Sequence, residues 1–227
     1  MKIKLSLLIL SFVVLSGFTG TQTKKKIVFF GDSITEQGAK PGGYIRVLDS
    51  LFMVKGWDKN NELLGAGVSG NKVYDLYLRM EDDVLARNPD AVVIWIGVND
   101  VWHKRTSGTG TDADKFERFY NAIIKKLKDR SIRVFLCTPA AIGEKTDFTN
   151  ELDGGLNNYA AIIRRIAEKN NCVLIDLRQA FLDYLKTHNP DNKDRGILTT
   201  DGVHLNAAGN NFVAARMMEA LGQNFIK

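Results

Sequence analysis

The chain reads as one α/β domain, a parallel sheet with helices on both faces. Three observations predict this. Apolar, β-rich runs alternate with amphipathic helical stretches about five times along the sequence. The most apolar run, residues 91–96, shows no polar alternation, as a central strand buried on both faces requires. No internal repeat or low-complexity linker divides the 227 residues, a length that one core can serve.

Residues 27–30 predict a short strand stopped at Gly31-Asp32-Ser33. The glycine permits a tight turn, and a helix opening after Ser33 would aim its free N–H groups near the hydroxyl. A polar turn over 36–42 precedes a helix in which Tyr44, Val47, Leu48, Leu51 and Phe52 recur at helical spacing and which ends near Gly56. A strand over 62–65 runs into a glycine-rich loop, 65–70, and a helix over 73–86 is broken by Asn88-Pro89-Asp90. The central strand ends in Gly97-Val98-Asn99-Asp100, and a polar loop over 103–112 is expected to move. Next come a helix (113–129), a strand (132–137), a loop to Asn150, a helix (156–169), a strand (172–175) and a short helical piece (181–186). Asn206 reads as the N-cap of a terminal helix over 207–221, closed by Gly222. Ligands of such sheets bind beyond the carboxyl ends of the strands. The loops 31–33, 65–70 and 97–100 are therefore expected to meet on one edge.

Lys2 and Lys4 supply two of the net +5 charges, and no Lys/Arg block is interleaved with aromatics. Nucleic acid is not an expected partner. Those lysines open a stretch that is almost wholly apolar from Leu5 to Leu15 and is followed by Ser16-Gly17 and Thr19-Gly20. This predicts a signal peptide over 1–22, a mature domain over 23–227, and a periplasmic or extracellular location. The apolar run is short of the roughly 20 residues of a membrane span, so no stable anchor is expected. Phe18 stands where lipid attachment would need cysteine. Cys137 and Cys172 fall in predicted strands and read as buried free thiols, although an exported chain permits a disulfide. No Cys/His set has metal-ligand spacing, and no metal or cofactor is expected.

Ser33 is placed as a nucleophile if the chain supplies a base; Gly-Asp-Ser is equally ordinary turn chemistry. Among three histidines, His204 has a carboxylate, Asp201, three positions earlier, with Gly202 between to let the chain bend. That turn would let Asp201 accept from Nδ1–H while Nε2 faces Ser33; alternatively it is a surface turn. His188 lies in a polar stretch and reads as exposed; His103, beside Trp102, is a candidate substrate contact. Acyl transfer also needs donors for the developing oxyanion. The N–H groups of Ser33 and Gly67 and the side-chain amide of Asn99 are candidates, each with a plain turn as its alternative. The spacing Gly65-Ala66-Gly67-Val68-Ser69-Gly70 matches a dinucleotide fingerprint. It follows the second strand rather than the first and lacks the later acidic residue.

Gly31-Asp32-Ser33, Gly67, Gly97-Val98-Asn99-Asp100 and Asp201-Gly202-Val203-His204 together resemble the four blocks of the SGNH hydrolases, the GDSL esterase/lipase family. They stand in the family's order, with Ile34 replacing the usual leucine. The resemblance implies a flavodoxin-like α/β/α sandwich with a five-stranded parallel sheet. It implies a triad of Ser33, Asp201 and His204, and an oxyanion hole of Ser33, Gly67 and Asn99. The expected activity is hydrolysis of short acyl esters, O-acetyl carbohydrate foremost, through an acyl-enzyme. The alternatives are a lysophospholipase or lipid esterase, and a non-catalytic carbohydrate-binding protein on the same fold.

Overall fold

The computed structural model describes residues 23–226, so the expected signal segment lies outside the described residues. Strands β1 (Lys25–Gly31), β2 (Asn61–Gly67), β3 (Ala91–Trp95), β4 (Arg133–Cys137) and β5 (Val173–Ile175) pair in parallel in the order β2-β1-β3-β4-β5. The helices are α1 (Ser33–Gly38), α2 (Tyr44–Lys55), α3 (Val73–Asp83), α4 (Val98–Thr106), α5 (Ala113–Lys128), α6 (Asp153–Lys169), α7 (Leu177–His188) and α8 (Ala207–Asn224). This is the expected sandwich. No described helix is long and apolar enough to cross a membrane.

The step from β1 to β2 runs one way across the sheet and the later steps run the other. Right-handed crossovers then place α2 on one face and α3, α5 and α6 on the opposite face. The contacts agree: α3 packs on α5, α5 on α6, and α8 joins α2. Strand β1 shows why residues 27–30 are all apolar. Phe29 meets Tyr44 of α2 edge-on at 5.9 Å, while Phe30 lies under the Arg79 guanidinium of α3 at 4.6 Å. Alternate side chains thus enter both layers. The winding reverses between β1 and β3, the position where such sheets open a crevice. Gly31 stands level with both Gly67 and Trp95, so the three loops that follow do share one edge.

Four expectations are corrected. The first half of the glycine-rich stretch is strand, because β2 runs to Gly67. Residues 98–106, expected as turn and loop, form α4, leaving only 107–112 irregular. The piece over 181–186 is the middle of the twelve-residue α7, which is capped by Asp176, whose carboxylate accepts from Gln179 N–H at 3.2 Å. Gly222 does not end α8; the helix continues to Asn224, and this glycine makes room for the Trp57 ring.

Both cysteines are free, Cys137 buried and Cys172 partly so. Phe135 pairs with Val173, which sets Cys172 three residues along the sheet from Cys137. That is about 10 Å at the strand rise, beyond disulfide reach.

Asn206 caps α8 as expected, accepting from Gly209 N–H at 2.9 Å. Gly209 is itself buried with no room for a Cβ, which would collide with the Leu198 carbonyl. An interior helix Gly→Ala change ordinarily stabilises by about 1 kcal/mol. Here the sign reverses: Gly209→Ala should lower Tm, whereas Gly222→Ala, facing a movable ring, should cost less. Thermal unfolding of the two variants checks this.

Candidate active site

Ser33 is the first residue of α1, and Asp32 caps that helix by accepting from Ile34 N–H at 3.0 Å. Its hydroxyl lies 2.9 Å from Nε2 of His204, and Nδ1 of His204 lies 2.7 Å from Oδ2 of Asp201. The other Asp201 oxygen accepts from the N–H groups of Val203 (3.0 Å) and His204 (2.8 Å). These bonds fold residues 201–204 into the turn the sequence suggested. Gly202 sits at φ +96°, where a side chain would be strained. Thr199 and Leu205 pair as an antiparallel bridge beneath it.

The three expected donors stand at the carboxyl ends of neighbouring strands, Ser33 just after β1, Gly67 closing β2 and Asn99 just after β3. Ser33 N–H belongs to the first turn of α1, where N–H groups lack helical acceptors. Gly67 packs against that turn so closely that a Cβ would collide with the main chain of Thr35 and Glu36. Val68 N–H bonds the Gly31 carbonyl at 3.2 Å, so ladder alternation leaves Gly67 N–H unspent on β1. Asn99 is buried in the first turn of α4, and its Nδ2 donates one hydrogen to the Asn71 carbonyl at 3.0 Å. The second amide hydrogen stays available. His188 stands apart, exposed at the end of α7 and stacked on Tyr184 at 3.8 Å. Among the described residues, no three His, Cys, Asp or Glu side chains are grouped to hold a metal.

Sequence reasoning missed the groups that hold these parts. Glu144 is fully buried, and its carboxylate accepts from the N–H of Ile197 (2.7 Å), Leu198 (2.8 Å) and Thr199 (2.6 Å) and from Thr199 Oγ1 (2.8 Å). Thr199 Oγ1 in turn accepts from Gly202 N–H at 3.0 Å. Arg79 donates to the carbonyls of Gly31 (2.7 Å) and Ala66 (3.0 Å) and to Asn71 Oδ1 (2.6 Å). It thereby ties the ends of β1 and β2 to the segment that orients Asn99. A glutamate in a polar loop and an arginine on a helix carry no sequence signal for such roles.

The carboxylates divide by environment. Burial works against the charge of Asp201, but the hydrogen bonds from the His204 ring and from the main chain of His204 and Val203 outweigh it and hold its pKa below the ordinary value. Burial pushes Asp32 up to about 7, with the Asp100 charge adding to the shift and the Ile34 N–H and His204 opposing it. Burial also raises Asp100, to about 6.

Residues 29–212 match the GDSL-like lipase/acylhydrolase family. The chain belongs to that family, and it is an ester-hydrolysing enzyme. The acetylxylan esterase of Geobacillus stearothermophilus is 29% identical over 219 residues, covering 89% of this chain and 96% of that protein. The isoamyl acetate-hydrolyzing esterase 1 homolog of Rattus norvegicus is 26% identical over 210 residues, covering 83% and 78%. The crystal structure of the acetyl xylan esterase AlAXEase superposes with a TM-score of 0.85 at 61% identity, covering 86% of this chain and 99% of that one.

The raised Asp32 pKa gives a signed prediction. Between its unfolded value, 3.8, and about 7, the folded protein keeps a proton that the unfolded chain has released. This contribution is present below pH 3.8 and is lost as pH rises to about 7. Asp32→Asn keeps an acceptor for Ile34 N–H and removes the titration. Its Tm should therefore fall less than the wild type's between pH 4 and pH 7, read by calorimetry.

Proposed function

We infer that the protein is an exported serine esterase that removes acetyl groups from carbohydrate through an acyl-enzyme. The observation that carries the mechanism is the unbroken chain Ser33 Oγ, His204 Nε2, His204 Nδ1, Asp201 Oδ2, with links of 2.9 and 2.7 Å. Ser33 attacks the ester carbonyl as His204 takes its proton. The negative oxygen is received by the N–H groups of Ser33 and Gly67 and the free amide hydrogen of Asn99. His204 then protonates the departing sugar oxygen as its bond to the acyl carbon breaks; water enters, gives a proton to His204, and its attack on the acyl-enzyme releases acetate while His204 returns the proton to Ser33. Asp201 keeps the Nδ1–H tautomer and offsets the imidazolium charge. The acetyl and carbohydrate assignment is supported by the activities named for the relatives and by the polar loops around the site. Export is supported by the basic and apolar N-terminal segment.

Ser33→Ala should abolish acetate release from acetylated xylooligosaccharides while leaving Tm near the wild type's. Full activity in that variant would reject the mechanism. Asp201→Asn should fold yet lose most of kcat; the corresponding change costs about 10⁴ in the serine-protease template. Asn99→Ala should lower kcat by about 10²–10³ with KM nearly unchanged, since the donor acts only as charge develops on the oxygen. A stable Asn99→Ala protein with normal kcat would remove the oxyanion role.

A further inference from the structure

Helix α4, absent from the sequence expectations, turns a single motif residue into a wall. At about 100° per residue, Trp102 and His103 bracket the direction of Asn99, one turn further along the helix. The other directions are taken. Val98 and Val101 enter the core, Lys104 pairs with Asp112 at 3.0 Å, and Arg105 reaches Glu151 of the β4–α6 loop at 2.8 Å. Trp102 lies between the directions of Asn99 and Arg105. Its ring packs in part on the core, and its helical direction turns the rest of it toward the gap between the Asn99 amide and the loop that Gly143 ties to the Asp201–His204 turn, through a bond to the Gly202 carbonyl at 2.9 Å. His103 flanks it on the side of Lys72, whose ammonium is already bonded to the Gly70 carbonyl at 2.9 Å.

Both rings are partly buried, tilted together at 6.0 Å between centroids. Their polar atoms are idle. The side-chain hydrogen bonds at these two residues reach only their carbonyls, from Thr106 Oγ1 at 3.3 Å and Ser107 Oγ at 3.2 Å. Among the described residues neither the indole N–H nor an imidazole nitrogen has a partner, in contrast to His204 and His188, whose rings are engaged. Burial, with the Lys72 charge, holds His103 below the usual histidine range, so near neutral pH it offers one donor and one acceptor.

We propose that Trp102 and His103 form the subsite for the sugar ring that carries the ester, the indole stacking on the pyranose C–H face and the imidazole bonding ring hydroxyls. A flat apolar surface beside unspent donors and an acceptor suits a ligand that is apolar on one face and hydroxylated at its rim. An acyl chain needs continuous apolar wall. The same helix face is interrupted by Asn99, His103 and Thr106.

This subsite rests on the esterase reading, and the test separates the two. Trp102→Leu and His103→Ala are compared with wild type on acetylated xylooligosaccharides and on ethyl acetate, which has no ring to stack. Binding of unacetylated xylotetraose to the same proteins is measured by calorimetry. For each variant, kcat/KM on the oligosaccharide should fall about tenfold, chiefly through KM, the scale of one aromatic contact. Activity on ethyl acetate should stay within about twofold, and xylotetraose affinity should fall in parallel. Equal losses on both esters, or no loss on either, would overturn the subsite. Wild-type protein that hydrolyses neither ester would count against the esterase reading, and the xylotetraose affinities would still decide the subsite: weaker in the variants for it, unchanged against it.

Discussion

The turn bearing Asp201 and His204 belongs to no strand of the sheet, and a buried carboxylate fixes where it stands. Glu144 gathers three consecutive N–H groups and a hydroxyl from 197–199, and that hydroxyl holds Gly202. Burying a charge is costly unless hydrogen bonds replace water. Here four donors do so, which makes the arrangement specific as well as tolerable. Glu144 is held from behind: its carbonyl accepts from Asn189 Nδ2 at 2.8 Å and its N–H bonds the Asp194 carbonyl at 2.9 Å. Placing His204 against Ser33, 171 positions away in sequence, therefore depends on a residue that touches neither.

The opposite side of the site is built from main chain. Gly67 lets the end of β2 press on the first turn of α1, and Arg79 binds the carbonyls that terminate the two strands. Backbone donors fixed at their flanks need little reorganisation when charge appears, which is the economy of an oxyanion site.

The strands were legible because each carries a short apolar run, and in β1 and β3 that run is buried from both sides; 91–96 could be little else. Ser33, Asp201 and His204 were legible because local turn chemistry puts the right functional groups at chain stops. Helix α4 was not. Gly97 enters it at φ +127° with no side-chain cap, and its outward residues are polar, so no apolar periodicity marks it. The glycines at 65 and 67 looked like a loop because their reason is close approach to Ala39 and to α1, a fact of three dimensions. Gly222 misled in the same way, serving Trp57 rather than a helix stop. Glu144 acts through partners more than fifty residues away, and Arg79 and Asn71 reach the ends of β1 and β2 and Asn99 across the fold, so no spacing announces them.

Cys137 closes β4 beside Trp95 and Ile175, fully enclosed, with burial holding its thiol far from ionisation. Cys172, at the rim of the same sheet, is only partly covered. A thiolate is what reacts with alkylating or disulfide reagents. The two sulfurs are thus a built-in pair of clocks: modification at the rim keeps time with local fraying, and modification at the centre keeps time with opening of the whole sheet.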